Sequence, residues 1–287
     1  IVRALDSGQV EIAVDEEGAR ITSGRSDFSL RVMAADEFPR FEAPGGEAVT
    51  LDAESVAAAL EQVVKAASGD DSRPILTGVL LAAEDDGLRF VATDSYRLAV
   101  RDLPGTSILG RDQTVLVPSR ALEVTGRLLG DADELTIRLD EREASFEVGD
   151  VTIVTRLIEG EFPNYRGLIP TDHPNALVVD RTALIDAVRR VGLLAKDATP
   201  VRLAMTGDGL ELIAITQDVG QAHETVDATY EGSDLTVAFN PGYLLDGLEV
   251  SPGDEVRLET IDSLKPAVIR SVGDDGFLYL LMPVRVS

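Results

Sequence analysis

Residue types able to perform acid–base or nucleophilic chemistry are few and scattered in this chain. There are two histidines and no cysteine. His173 precedes Pro174 in a loop, and His223 lies in a polar strand pattern; neither has a partner set near it in sequence. No H-E-x-x-H or nucleophile-elbow pattern occurs, and the absence of thiols excludes disulfides and thiolate metal sites. The acidic pairs Asp70-Asp71, Asp85-Asp86 and Asp274-Asp275 fall at turn signals, where solvated carboxylates are expected. Residue types alone leave a carboxylate-dependent hydrolase open. It would need a cleft pair about 5–10 Å apart, and nothing in the spacing favours one. Gly105–Gly110 is not followed by G-K-[ST] and is no phosphate loop, and no EF-hand loop is present. The expectation is a chain that binds rather than catalyses, without metal or cofactor.

The charge balance points away from nucleic acid at long range. With 51 acidic and 26 basic residues, the formal net charge is -25. Such a surface repels a polyanion. Lysine occurs only at Lys65, Lys196 and Lys265; the other basic residues are arginine. With the high Ala, Val, Gly and Asp content this reads as GC-rich codon usage, with a halophilic surface as the second reading. At 44% hydrophobic and 287 residues, the chain can build more than one core. No apolar run approaches the ~20 residues of a membrane span, and no basic-then-apolar leader is seen. A cytoplasmic protein is expected.

The elements that must position any site repeat. The run Val91–Val100, V-A-T-D-S-Y-R-L-A-V, predicts a strand end, a tight polar turn and a second, half-buried strand in which Tyr96, Leu98 and Val100 alternate with Arg97 and Ala99. Its counterpart is the terminal run Tyr279–Val286, Y-L-L-M-P-V-R-V. Between them the chain recurs at a period near 124 residues. Glu37-Phe38-Pro39-Arg40-Phe41 matches Glu161-Phe162-Pro163-Asn164-Tyr165. Leu51-Asp52, opening a helix to about Lys65, matches Val179-Asp180, opening a helix through Lys196. Gly87-Leu88 matches Gly209-Leu210, and Pro118, in the first turn of a helix to about Leu129, matches Pro241. Each unit runs strand–helix–three strands, twice. The units are expected at 1–47 (a second half only), 48–173 and 174–287. A half unit leaves a sheet and a helix face uncovered, which predicts that the natural protein starts roughly a hundred residues earlier. Ile1–Leu5 reads as the tail of a helix.

A triplicated α+β unit carrying V-A-T-D-S-Y-R-L-A-V, E-F-P-N-Y and a terminal Y-L-L-M-P-V-R-V resembles the bacterial sliding clamp family, the beta subunits of DNA polymerase III, over all 287 residues. The resemblance implies antiparallel sheets on the outside and helices lining a central hole, in a head-to-tail homodimeric ring around duplex DNA. It implies a processivity factor that tethers the polymerase III catalytic subunit, the clamp loader and other replication and repair proteins. It implies no chemistry by this chain and no membrane partner. A ring is retained topologically, so the acidic charge is no obstacle, and phosphate affinity is needed only on the inner helices. Two helices are net positive: one with Arg120 and Arg127 against Glu123, the other with Arg181, Arg189, Arg190 and Lys196 against Asp186. The helices near 53–65 and 241–248 do not follow suit.

Matched residue by residue, the resemblance places a pocket for Q-L-x-L-F-type partner peptides between the second and third units. Leu76, Thr93, Ser95, Tyr96, Arg97, Leu98, Pro163 and Leu168 come from the second unit. Asn240, Tyr243, Leu264, Leu281, Met282, Pro283, Val284 and Arg285 come from the third. The residue types suit peptide recognition, with aliphatic and Met side chains as floor and Arg97, Asn240 and Tyr243 as polar anchors. For Leu98, Leu281 and Met282, strand core is the competing expectation. Gly167 stands where many relatives carry a basic residue, and Pro266 where a small polar one is common. The family's ring interface would use Arg25, Phe28 and Leu30 on one side and Leu193 and Leu194 on the other. The alternative from another class is an acidic repeat scaffold that binds only proteins.

Overall fold

The computed structural model describes residues 1–15, 18–38, 44–195, 199–217 and 219–285. It separates into two compact units, Ile1–Glu42 and Ala43–Ser287. The architecture is α+β, and every strand pair among the described residues is antiparallel, as the resemblance implies.

The first unit is a three-stranded sheet of β1 (Glu11–Val14), β2 (Ala19–Ser23) and β3 (Ser26–Leu30), in that order. Ile12, Ile21 and Phe28 lie in register across it. Ile21 is buried, whereas Ile12, Val14, Phe28 and Leu30 are exposed. Val2–Ala4 forms a single 3-10 turn in place of the expected helix tail. The string Glu37–Phe41 runs into 39–43, outside the described residues, as do Lys196 and Val286.

The second unit holds two copies of one pattern. The first copy is β4 (Ala48–Asp52), α1 (Ala53–Val64), β5 (Gly78–Glu84), β6 (Gly87–Thr93), β7 (Arg97–Pro104), β8 (Thr114–Pro118), α2 (Ser119–Leu128), β9 (Glu134–Leu139), β10 (Glu143–Val148) and β11 (Val151–Arg156). The second is β12 (Asn175–Asp180), α3 (Arg181–Gly192), β13 (Val201–Thr206), β14 (Gly209–Thr216), β15 (Gly220–Val226), an extra short β16 (Ala228–Glu231), β17 (Leu235–Phe239), α4 (Pro241–Val250), β18 (Glu255–Thr260), β19 (Ala267–Ser271) and β20 (Asp274–Leu281). The sheets are β11-β10-β9-β4, β15-β14-β13-β17, and a nine-stranded sheet β16-β12-β18-β19-β20-β7-β6-β5-β8. The nine-stranded sheet fuses the copies: β20 pairs antiparallel with β7, with Tyr279 opposite Ala99 and Leu281 opposite Arg97.

The helices start where a side chain can satisfy the free N–H groups of the first turn. Asp52 accepts from Ser55 N at 2.8 Å, Asp180 from Ala183 N at 2.7 Å and Asn240 from Tyr243 N at 3.1 Å. Pro241 occupies the first turn of α4, but Pro118 is the residue before α2 rather than its first. Each helix buries one stripe: Val56, Ala59, Leu60 and Val63 in α1; Leu184, Ala187, Val188 and Val191 in α3; Leu244 and Leu248 in α4. A fully buried Leu or Val contributes about 1.5–3 kcal/mol. The helix through Lys196 is shorter than expected; α3 stops at Gly192, and Leu193 to Ala195 continue in tighter turns. In space the order is α2, α1, α4, α3, a continuous layer on one face of the sheets.

The hairpin at 91–100 forms as predicted, but β7 is buried on both faces, not one. Ala99 packs under the helix layer, while Leu98 and Val100 join a second core with Val91, Val268, Leu278 and Leu280. The segment after β11 straps across that second core through Ile158, Phe162, Tyr165 and Ile169. The turn before β20 is Val272–Gly273; Asp274 itself is in the strand, paired with Arg101 at 3.0 Å.

Candidate partner-docking and DNA-facing surfaces

The turn between β6 and β7 is built by its own side chains. Thr93 Oγ1 donates to Arg97 O (2.6 Å) and accepts from Ser95 N (3.2 Å). Asp94 Oδ1 accepts from Tyr96 N (2.8 Å) and Arg97 N (3.0 Å), and its Oδ2 accepts from Arg97 Nε (3.1 Å). This cage forces Ser95 to φ 82°, in the left-handed region. A residue without Cβ meets no steric penalty there. Ser95→Gly relieves about 1–2 kcal/mol of left-handed strain against about 0.4–1 kcal/mol of added unfolded-state entropy, so a small net gain is expected, read as an increased urea midpoint at unchanged slope.

Arg97 is engaged on every side. Beyond Asp94, its guanidinium pairs with Asp246 of α4, donates to Lys65 O at the end of α1 and lies 4.4 Å over the Tyr243 ring. Tyr96 stacks on the same ring at 6.4 Å between centroids. Tyr279 lies beneath: its hydroxyl donates to Tyr243 O at 2.9 Å, and burial pushes its pKa well above the usual range, partly offset by the neighbouring Arg97. Tyr279 packs so closely under α4 that a Cβ on Gly247 would sit 2.4 Å from its ring. With a side chain only 10% exposed, Arg97 bolts the two copies together and has little surface left to meet a ligand.

Two exposed apolar side chains, Tyr96 and Met282, lie beside this bolt. Leu168 and Leu264 are also exposed, and Pro163 is exposed on the strap. Met282 N donates to Tyr96 O and Val284 N to Ala238 O, both at 2.8 Å. These bonds lay the extended 282–284 segment across the junction, with Pro283 and Val284 half-buried and Arg285 exposed. Leu76, Leu98 and Leu281 are buried, Leu98 in the outer core and Leu281 in the helix-side core. Asn240 spends its side-chain oxygen on the α4 cap. Thr93, Tyr96, Arg97, Tyr243 and Met282 are thus brought together by direct bonds or ring contacts. Asp94, Asp246 and Tyr279, which organise them, are not among the site residues expected from the sequence; for Asp94, the D-S-Y-R spacing of an Asx turn is the sign that could have found it.

On the helix layer the expected positive face is balanced. The helices α1 to α4 with Lys65 carry six basic side chains and six acidic ones. Arg127 pairs with Glu123, Arg189 with Glu249 (2.9 Å) and Asp186 (3.8 Å), and Arg190 with Glu224 of β15. Arg181 donates to the carbonyl of Gly253 (2.8 Å) and lies near those of Leu248 and Glu249, closing the end of α4. Arg120 is exposed and has no ion pair among the described residues. The Arg189 guanidinium, then Lys65, hold the Glu249 carboxyl below its ordinary range, with burial opposing; Arg190 does the same for Glu224. A carboxylate with a depressed folded-state pKa stabilises above its unfolded value, about 4.3, and loses that contribution as pH falls through the folded one. In carbon-detected titrations, Glu249 is expected to protonate at lower pH than a free glutamate and to move upward in Arg189→Ala.

Phe28 and Leu30 lie on β3, a free sheet edge, and Arg25 is exposed in the preceding turn. Leu193 is exposed and Leu194 half-buried, its carbonyl accepting from Thr216 at the end of β14; the neighbouring β15 is also a sheet edge. Ile215 and Val219, exposed at the end of that same sheet, extend the apolar set beyond the residues expected from the sequence. His223 bonds Glu211 at 2.9 Å on the surface, and His173 lies 3.6 Å from Glu259. Among the described residues no three His, Asp or Glu are grouped to hold a metal ion. No helix there is long and apolar enough to cross a membrane.

Two α+β copies fused edge to edge by one sheet, with their helices in a single layer, define the clamp architecture. Family models of the DNA polymerase III beta subunit match in chain order: the N-terminal domain at 1–42, the central domain at 50–164 and the C-terminal domain at 166–285. The beta sliding clamp of Streptomyces coelicolor is 36% identical over the whole chain and 80% of its own length. The DNA polymerase sliding clamp of Bacillus subtilis superposes with a TM-score of 0.88 at 30% identity, over 100% of this chain and 77% of that one. The DNA polymerase III subunit beta of Pseudomonas aeruginosa gives 0.86 at 29% over 96% and 76%. The chain belongs to the bacterial beta sliding clamp family, the processivity factors of DNA replication.

Proposed function

We propose that this chain works without catalysis: it is retained on duplex DNA by encirclement and presents the junction of its last two repeats to partner peptides. The repeats are read as 1–47, 48–173 and 174–287. The observation that carries the docking site is the exposed pair Tyr96 and Met282, joined by the Met282 N to Tyr96 O bond beside a rigid polar centre; the exposed Leu168 and Leu264 are assigned to the same rim. Exposed apolar side chains beside a few fixed polar groups are what peptide ligands bury. The polymerase III catalytic subunit, the clamp loader and other replication and repair proteins are the proposed occupants, in the cytoplasm.

Ring closure follows the same repeat logic. β7 and β20 form the junction inside the chain, and β15 and β3 hold the equivalent positions at its free edges. Pairing of β15 in one copy with β3 in another would bury Leu193, Leu194, Ile215 and Val219 against Phe28 and Leu30, giving a head-to-tail homodimer. The helix layer, with Arg120, Arg127, Arg181, Arg189 and Arg190, would face the DNA.

Fluorescence anisotropy with a labelled Q-L-x-L-F peptide tests the docking site. Saturable binding is expected, weakened at least about tenfold by Met282→Ala, a loss of about 1.4 kcal/mol. No binding by a chain with a cooperative melt would overturn the assignment.

A further inference from the structure

Three of the arginines proposed to face DNA, Arg127, Arg189 and Arg190, are already partnered by carboxylates. Arg190 sits across Glu224, with Nε 3.0 and 3.1 Å from its two oxygens, a fork-on-carboxylate geometry. Arg189 Nη2 lies 2.9 Å from Glu249 Oε1, and the other oxygen of Glu249 takes Lys65 Nζ at 3.4 Å. The acids are the more sheltered members: the Glu224 and Glu249 side chains are 24% and 33% exposed, against 59% and 55% for Arg190 and Arg189. Each guanidinium therefore rests on a carboxylate held by the fold and still presents most of its surface to solvent. A phosphate approaching this face must displace or share that carboxylate.

We infer that Glu224 and Glu249 set the grip of the helix layer on DNA, by competing with backbone phosphate for Arg190 and Arg189. This rests on the reading that the helix layer faces duplex DNA. The physical consequence is a weak, mobile hold. Each phosphate contact that releases a counterion steepens the salt dependence by about 0.9 in log–log slope. A guanidinium already neutralised by carboxylate releases little. A sliding protein gains from such a surface because no phosphate register is held strongly over the next. Positioning of the two acids is independent: Glu224 comes from strand β15 and Glu249 from helix α4.

The test is anisotropy of the full chain with a fluorescein-labelled duplex of about 20 bp across a salt series. The variants are Glu224→Gln, Glu249→Gln and the pair, which keep side-chain shape and an acceptor oxygen. The double variant is expected to bind about tenfold tighter at low salt, with a slope steeper by one to two units. Asp150→Asn/Asp208→Asn, two exposed turn acids far from the helices in sequence, controls for bulk charge. Equal tightening by that control overturns the inference, as does unchanged binding in the double Gln variant. Arg189→Glu/Arg190→Glu separates the two levels. If it weakens binding while the Gln variants match the parent, the inference falls and the DNA-facing reading stands. If reversal and Gln substitution both leave binding unchanged, the DNA-facing reading itself falls. Thermal melts of each variant within a few degrees of the parent confirm that folding is intact.

Discussion

Replacing Arg97 with alanine is expected to destabilise the 43–287 unit by about 3–5 kcal/mol, the cost of removing one partner from a buried ion pair. Asp94 and Arg97 have side chains each 10% exposed, so water replaces little of what is lost. Asp94 keeps its two backbone donors, Tyr96 N and Arg97 N, which places the effect nearer the lower bound. Asp246 keeps only Lys65 Nζ at 4.0 Å, the Lys65 carbonyl loses its donor, and Tyr243 loses the cation over its ring. Urea unfolding of Arg97→Ala, Asp246→Ala and the double variant measures this. The double variant is expected to cost clearly less than the sum, because both changes break the same contact. Additive losses would show that the pair does not join the repeats. Weaker peptide binding should accompany the loss, since Tyr243 and Tyr96 would no longer be held in place.

Tyr279→Ala is expected to cost a similar 3–5 kcal/mol, as for other buried aromatic truncations. The ring is 2% exposed and lies beneath Gly247, so nothing larger than a glycine hydrogen fills the space left above it. Tyr279→Phe isolates the hydroxyl, whose bond to Tyr243 O accounts for about 1–1.5 kcal/mol. The reciprocal change, Gly247→Ala, drives a methyl into the ring. Overpacking of about 1–3 kcal/mol should outweigh the ~1 kcal/mol gained in helix propensity. A Gly247→Ala protein as stable as the parent would mean that the ring can shift aside. Differential scanning calorimetry of the three variants gives the order expected: Tyr279→Ala least stable, the other two between it and the parent.

Much of the architecture is legible because it is written in local chemistry. Asp52 and Asp180 announce helices through their own caps, and T-D-S-Y announces a turn through side chains that bond the backbone two residues away. The near-constant spacing of these signals exposes the repeat. The free apolar residues Phe28, Leu193 and Met282 are marked by resemblance, and their exposure is then a matter of which strands have neighbours.

Pairing at long range is not legible. Arg97 reads as an exposed strand residue by alternation, yet it meets Asp246, 149 positions away, because β20 docks on β7 and brings α4 over the turn. The helices α2 and α3 read as positive one at a time. Glu249 and Glu224 come from other elements and neutralise Arg189 and Arg190 only once the layer is assembled. Arg181 reads as a surface cation but caps carbonyls 67 to 72 residues on. By itself, then, the sequence determined the elements, their order and their repetition, since caps, turns and apolar periods act over a few residues. Only the tertiary structure decided which charges are free and which are consumed, because that depends on partners the chain brings together from distant positions.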